Sequence, residues 1–181
     1  MATLPEDLSL ESLGIWETET TSLTGSLGGM SFGVDHRNGV SVPWTQGIDP
    51  RWDEATSAPT TLASNRSLRG TVRWNGELIG FTPELASVRG RAQIAVALAT
   101  MDGRADFTDM QSWAAGEEPG ALGSQWNTGT LGYTITVGGN YLRSTSGDDG
   151  TLHGRFYGDY HEGVAGTVER DDLTAAFGAR R

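Results

Sequence analysis

Leu152-His153-Gly154-Arg155-Phe156-Tyr157-Gly158, a polar turn over Asp159-Tyr160-His161-Glu162-Gly163, then Val164-Ala165-Gly166-Thr167-Val168 and a last run to Phe177-Gly178-Ala179-Arg180 decide the fold of this chain. Leu152, Gly154, Phe156 and Gly158 share one parity, and Val164, Gly166 and Val168 share another across the turn. Side chains on a strand alternate faces, so the pattern suits a sheet with one wet and one buried side. A sheet whose last strand is the end of the chain either leaves that edge bare or closes onto an earlier strand, and closure is the expected solution.

Working back from that ribbon, Leu131, Tyr133, Ile135 and Val137 alternate, Gly138-Gly139-Asn140 turns the chain, and Tyr141-Leu142-Arg143 follows. Val88 to Leu98 is the longest alternation, with Val88, Ala92, Ile94, Val96 and Leu98 on one face and Arg89, Arg91 and Gln93 on the other. Asp102-Gly103 reads as a turn before Arg104 to Thr108, and Met110 to Trp113 as a helical turn. Leu68, Gly70, Val72 and Trp74 alternate, and Asn75-Gly76 is a strong hairpin signal before Glu77 to Phe81. About eight strands at short spacing with no βαβ unit predict an all-β fold, an antiparallel eight-stranded up-and-down barrel over residues 66–181.

The N-terminal third, residues 1–65, is less regular and reads as an extension packed on that barrel. Residues 1–13 are acidic and suit a short helical turn or a strap after Pro5, Gly14 to Thr20 is the first plausible strand, and Met30 to Val34 the next apolar alternation. From Asp35 to Asn65, three prolines and many Ser and Thr predict loops wrapped over the fold.

Composition narrows the function. The chain has 181 residues, enough for one domain with a core. Its 26 glycines are roughly twice the usual share of about 7%, as bends and close strand approaches require. A net charge of −10 argues against a nucleic-acid partner or an anionic membrane surface. With no cysteine there is neither a disulfide nor a thiolate nucleophile or metal ligand. No apolar run has the length of a membrane span, and Met1 to Asp7 carries no signal-peptide pattern, so a cytoplasmic reading stays open beside an exported one.

The terminal ribbon resembles the transferrin-binding-protein-B-like barrel family. There a G-x-F-Y-G strand, matched by Gly154 to Gly158, precedes a turn with an acidic residue, here Glu162. A G-G-T/V return strand, here Gly163 to Thr167, and a closing F-G-A-K/R, here Phe177 to Arg180, follow. Val88-Arg89-Gly90-Arg91-Ala92 and Gly103-Arg104-Ala105 are similar to hairpins of the same barrels. The resemblance implies an eight-stranded barrel preceded by a looser β-rich handle, and a cell-surface or secreted binding module for host proteins or haem, or an accessory domain. The chain departs from the family in having no cysteine to lipidate and length for one barrel rather than two lobes. The motif also has a structural reading: Gly154, Gly158 and Gly166 are expected to let strands coil, Phe156 and Phe177 to fill the interior, and Arg180 to pair with a carboxylate at the closure.

Candidate chemistry is thin. His36 follows Asp35, and His161 lies between Asp159 and Glu162, yet the spacing is not that of metal ligands, so His161 reads as a solvated turn residue and His153 as a surface residue. Ser146 to Gly150 is acidic but lacks the further oxygens of a calcium loop. No nucleophile elbow or phosphate loop is present. The expectation is no enzyme, no catalytic residue, no metal and no cofactor. Trp16 and Trp74 fall within strands and suit a core, whereas Trp44, Trp52, Trp113 and Trp126 fall in or beside loops. Loop aromatics give large contact area at small entropic cost, which favours recognition of a protein or glycan; the alternative is that they cap the barrel's open ends. A lipocalin-like carrier of an apolar ligand or haem, lined by Phe156, Tyr133, Ile94 and Val96, and a structural part of a secreted or virion-surface assembly remain as other readings.

Overall fold

The computed structural model describes residues 21–65, 67–115, 117, 123–127 and 129–181. The strand expected over Gly14 to Thr20 with its Trp16 and the helical turn expected in residues 1–13 lie outside them. Strands β1 (Thr21–Leu27), β2 (Met30–Arg37) and β3 (Val40–Gly47) form an antiparallel meander, and β4 (Trp52–Asp53) and β5 (Ala58–Pro59) a small hairpin. A 3-10 turn, Leu62–Ser64, is capped by Thr61, whose hydroxyl accepts from the Ser64 amide. Then come β6 (Thr71–Phe81), β7 (Ser87–Ala97), β8 (Asp102–Trp113), β9 (Ser124–Gln125), β10 (Leu131–Gly138), β11 (Tyr141–Gly147), β12 (Thr151–Tyr157), β13 (Gly163–Arg170) and β14 (Leu173–Arg180).

Hydrogen bonding runs β6-β7-β8-β10-β11-β12-β13-β14 and returns to β6, all antiparallel, so eight strands close a ring and β9 is a short addition to β8. β14 closes the tube against β6: Phe177 lies opposite Leu78, and Tyr133 of β10 lies opposite Ala105 of β8. The all-β, up-and-down barrel read from the alternation is the observed architecture.

Eight strands make a tube narrow enough for side chains to fill. Trp74, Phe107, Tyr133, Phe156 and Phe177 are fully buried inside it. Trp74 and Phe156 lie 5.0 Å apart between ring centroids, Phe107 and Phe177 5.4 Å, and Phe107 and Tyr133 6.4 Å edge to face. Ile94, Val96, Leu152 and Val168 pack around them. A left-handed Asp109 on β8 opposes a register shift on β7, which lets Met110 also turn into the core.

Four local expectations fail for physical reasons. Asn75-Gly76 makes no turn: β6 runs straight through it, and Gly76 is needed because a Cβ there would collide with the Gly178 carbonyl of β14. Met110 to Trp113 continues β8, because pairing with β7 outweighs local preference. Asp102-Gly103 opens β8 instead of turning the chain; the turn lies at residues 98–101. Within the section expected to be loops, Val40–Gly47 is a regular strand across its whole length, held by β2.

The three-stranded sheet packs on the outside of the tube. Phe32 and Val34 of β2, with Leu23 and Leu27 of β1, meet the outward Ile79 and Phe81 of β6 and Ala176 of β14. Met30 reaches Tyr157 and Ala165 beside them. A patch of barrel wall that would face water is thereby covered, which is why β13 and β14 are apolar on both faces.

Candidate functional site

The barrel has two unlike ends. One carries the turns at residues 98–101, 139–140 and 158–162, together with the connector that leads from the outer sheet into β6. The other carries residues 82–86, the β8–β10 connection, and the turns at 148–150 and 171–172.

At the first end the connector is bolted down around His161, which the polar turn had suggested was solvated. His161 is fully buried, with φ at +60°. Its Nε2 lies 3.1 Å from the Thr60 carbonyl and 3.0 Å from Asn140 Oδ1, and its Nδ1 lies 3.1 Å from Asn65 Nδ2. Those partners require a neutral ring protonated on Nε2: two acceptors face that nitrogen and an amide N–H faces the other. Trp74 Nε1 donates to the His161 carbonyl at 2.9 Å from within the barrel. Asn140 Nδ2 donates to the Thr60 carbonyl at 2.7 Å, and Asn65 Nδ2 to that of Tyr160 at 2.7 Å. Burial lowers the His161 pKa, against raising effects from the Thr60 carbonyl and Glu162. The turn residue was misread because its burial comes from a segment some hundred positions earlier, invisible to local pattern.

The same end gathers exposed aromatic and apolar side chains. Trp52 is 58% exposed, Tyr141 59%, Tyr160 51% and Ile48 68%. Arg155 of β12 fixes one of them, Tyr141. Its guanidinium sits 5.3 Å from the centre of the Tyr141 ring and 5.8 Å from that of Tyr157, and pairs with Asp49 at 2.8 Å. The Gly158 amide donates to the Ile48 carbonyl at 2.8 Å, so the segment leading to Trp52 is held against the β12–β13 turn.

The four loop tryptophans do not form one surface. Trp52 stands at this first end. Trp44 is half-buried on the outer sheet, its ring lying over Gly33 where a Cβ would collide with it. Trp113, at the end of β8, is half-buried at the opposite barrel end. Trp126, also there, is buried in the core cluster with the Arg170 guanidinium 5.9 Å from its ring centre, so it seals that end. Arg170 is itself fixed by Asp172 at 2.7 Å, which raises the arginine's pKa and lowers the carboxylate's. Burial raises the pKa of Tyr133, whose hydroxyl donates to the Asp149 carbonyl at 3.1 Å.

Phe156 and Phe177 are interior, and Gly154 and Gly166 admit close neighbours: Leu142 over the first, Phe177 and the His153 carbonyl over the second. Arg180 departs from expectation. Among the described residues it makes no ion pair; its side chain runs along Gly28 of the β1–β2 turn instead. The histidines stay apart: His36 bonds Ser41 Oγ at 3.0 Å on the outer sheet, and His153 is exposed on β12. Sequence reasoning did not single out Tyr141, Tyr160, Ile48 or Arg155; the one available signal was a tyrosine in each of two otherwise polar turn regions.

A closed eight-stranded barrel with an antiparallel sheet on its outer wall has solved counterparts. Transferrin binding protein B from serogroup B Neisseria meningitidis matches 91% of this chain with a TM-score of 0.52 and 16% identity. The N-lobe domain of lactoferrin binding protein B from Moraxella bovis matches 98% of it with a TM-score of 0.51 and 10% identity. This is a transferrin-binding-protein-B-like barrel fold. A structure described as a surface lipoprotein is also similar, with a TM-score of 0.50, 13% identity and 98% of the chain matched. The chain spans 34% of the meningococcal protein, but 87% and 85% of the other two. At these identities the likeness is one of fold. No family model and no curated protein matches the sequence.

Proposed function

We propose that this TbpB-like barrel is a non-enzymatic binding module, displayed at a cell surface or secreted, that recognises a macromolecule through the barrel end where Trp52, Tyr141 and Tyr160 stand exposed. In this reading residues 1–65 are a handle packed on the barrel of residues 66–181. The observation that carries it is that Trp52, Tyr141 and Tyr160 stand exposed at one barrel end, where Arg155 fixes Tyr141 and pairs with Asp49 on the segment leading to Trp52. Aromatic and arginine side chains dominate binding energy in recognition surfaces. The fold's neighbours transferrin binding protein B and lactoferrin binding protein B are by name proteins of the same class. The carrier reading has less support, because aromatic side chains occupy the centre of the tube.

An array of purified extracellular proteins and glycans probed with the labelled chain tests this reading. A ligand whose signal falls about tenfold or more with Trp52→Ala and Tyr160→Ala, and not with Trp113→Ala, supports the assigned end. Ligands indifferent to both changes would refute it.

A further inference from the structure

On the outer wall of β10, β11 and β12, next to the aromatic end, two cross-strand rows lie side by side. Gly138, Tyr141 and Arg155 form the first; Thr136, Arg143 and His153 form the second. Directly opposed residues on neighbouring strands share a face, and successive rows on one face are about 7 Å apart. Between them is a groove of about 420 Å³ lined by Thr136, Val137, Gly138, Tyr141, Leu142, Arg143, His153 and Gly154.

Three features give this groove a ligand class. First, none of its lining residues is acidic, on a chain whose net charge is −10. Arg143 makes no ion pair among the described residues, whereas Arg155 beside it is matched by Asp49. Second, the Tyr141 ring is an exposed, pre-positioned platform. Arg155 holds it from the β12 side, while on the β10 side the space above Gly138 is empty of described atoms to 4 Å. Third, a hydroxyl (Thr136) and an imidazole (His153) flank the Arg143 guanidinium across the strands. The β11–β12 ladder is itself short, with three register pairs, and beyond them the Leu152 amide donates to Ser144 Oγ at 3.0 Å instead of to the neighbouring backbone. The two strands part only beyond Arg143 and His153, at one edge of the groove, and the still-paired Leu142 and Gly154 form its floor.

An apolar ring face, an open slot beside it, a planar cation one row away and hydrogen-bonding groups on either side match one kind of ligand unit. Its flat C–H face would lie on Tyr141 over Gly138, its hydroxyls would meet Thr136 and His153, and a carboxylate would meet the Arg143 fork. We infer that this groove is a binding subsite for a carboxylate-bearing sugar residue. It deepens the recognition role proposed above by naming a ligand class, and it rests on that role only in placing the groove beside the same end.

The test is titration of the isotope-labelled full chain with glucuronate, glucose and acetate, followed by amide shifts. Glucuronate should move the amides of Gly138, Tyr141, Arg143 and His153 saturably, with glucose and acetate each weaker by about tenfold or more. Arg143→Gln should erase the preference for glucuronate over glucose. Gly138→Leu should block all binding without unfolding the chain, since the position is open and its backbone is not left-handed. Equal shifts with acetate would reduce the groove to an adventitious anion site, and shifts elsewhere or none would overturn the assignment. If the array finds a partner that needs Trp52 and Tyr160 while glucuronate leaves the groove untouched, the subsite fails and the recognition reading stands. The converse result separates them the other way.

Discussion

The ring of Phe32 in β2 occupies the space that a side chain on Gly178 of β14 would need: a Cβ built there would collide with the ring. Gly25 of β1 clears the other side of the same ring. The outer sheet is therefore attached to the barrel through an aromatic wedge seated on glycine. Such a contact fails abruptly, because a phenyl ring buried on both sides cannot swing aside as the tip of a flexible chain can.

Gly178→Val should consequently lift the outer sheet and leave the tube closed, since Gly178 points outward and its backbone is ordinary extended strand. Hydrogen exchange should show amides of residues 30–37 losing protection while those of residues 88–97 keep it. Loss of protection throughout would mean that sheet and barrel are one cooperative unit.

Acid should weaken the chain through His161. Burial depresses its pKa in the folded state, so the neutral ring contributes stability that is fully present above the unfolded value of about 6.5 and lost as pH falls through the lower folded value. A proton on Nδ1 would also confront the Asn65 amide, loosening the connector before the barrel. Melting temperature measured from pH 7.5 to 5 should fall for the natural chain and stay flatter for His161→Gln. Equal slopes for the two proteins would assign the acid response elsewhere.

Strands that alternate cleanly were legible in the sequence: β7, β10 and β12 follow the parity of Val88, Tyr133 and Phe156. What misled was reading residue types as local signals when tertiary neighbours had chosen them. Asn75-Gly76 spells a turn, but its glycine answers a carbonyl on the last strand. Ala176 and Gly178 fill the outward parity of β14, and Ile79 and Phe81 that of β6; such doubly apolar strands announce a covered outer wall, which alternation alone does not reveal. The recognition end was half legible. Trp52 stood out as a loop aromatic, but Tyr141 joins it only because Arg155 and Asp49 bring strand and connector together.

Phe156→Ala should cost about 3–5 kcal/mol, the usual loss for removing a fully buried phenyl group. The ring also meets His161 edge-on at 6.5 Å, so the cavity would open next to the connector's anchor. Phe156→Leu should recover much of the loss by refilling volume. Chemical denaturation with unchanged slope would confirm a pure stability effect, whereas a wild-type midpoint for the alanine variant would show that the interior tolerates a hole there.

Trp52 and Trp126 should respond to truncation in opposite ways. Trp52 is mostly in water on a two-residue strand paired with Pro59, so Trp52→Ala should shift stability by no more than about 0.5 kcal/mol. It should weaken a partner found on the array by about tenfold or more. Trp126 is buried against the barrel core and Arg170, so Trp126→Ala should cost about 3–5 kcal/mol and leave the affinity of the folded fraction unchanged. Thermal melts paired with binding isotherms separate the two. If truncating Trp126 lowered affinity while Trp52→Ala did not, the recognition surface would belong at the opposite end of the barrel, over the turns at 148–150 and 171–172.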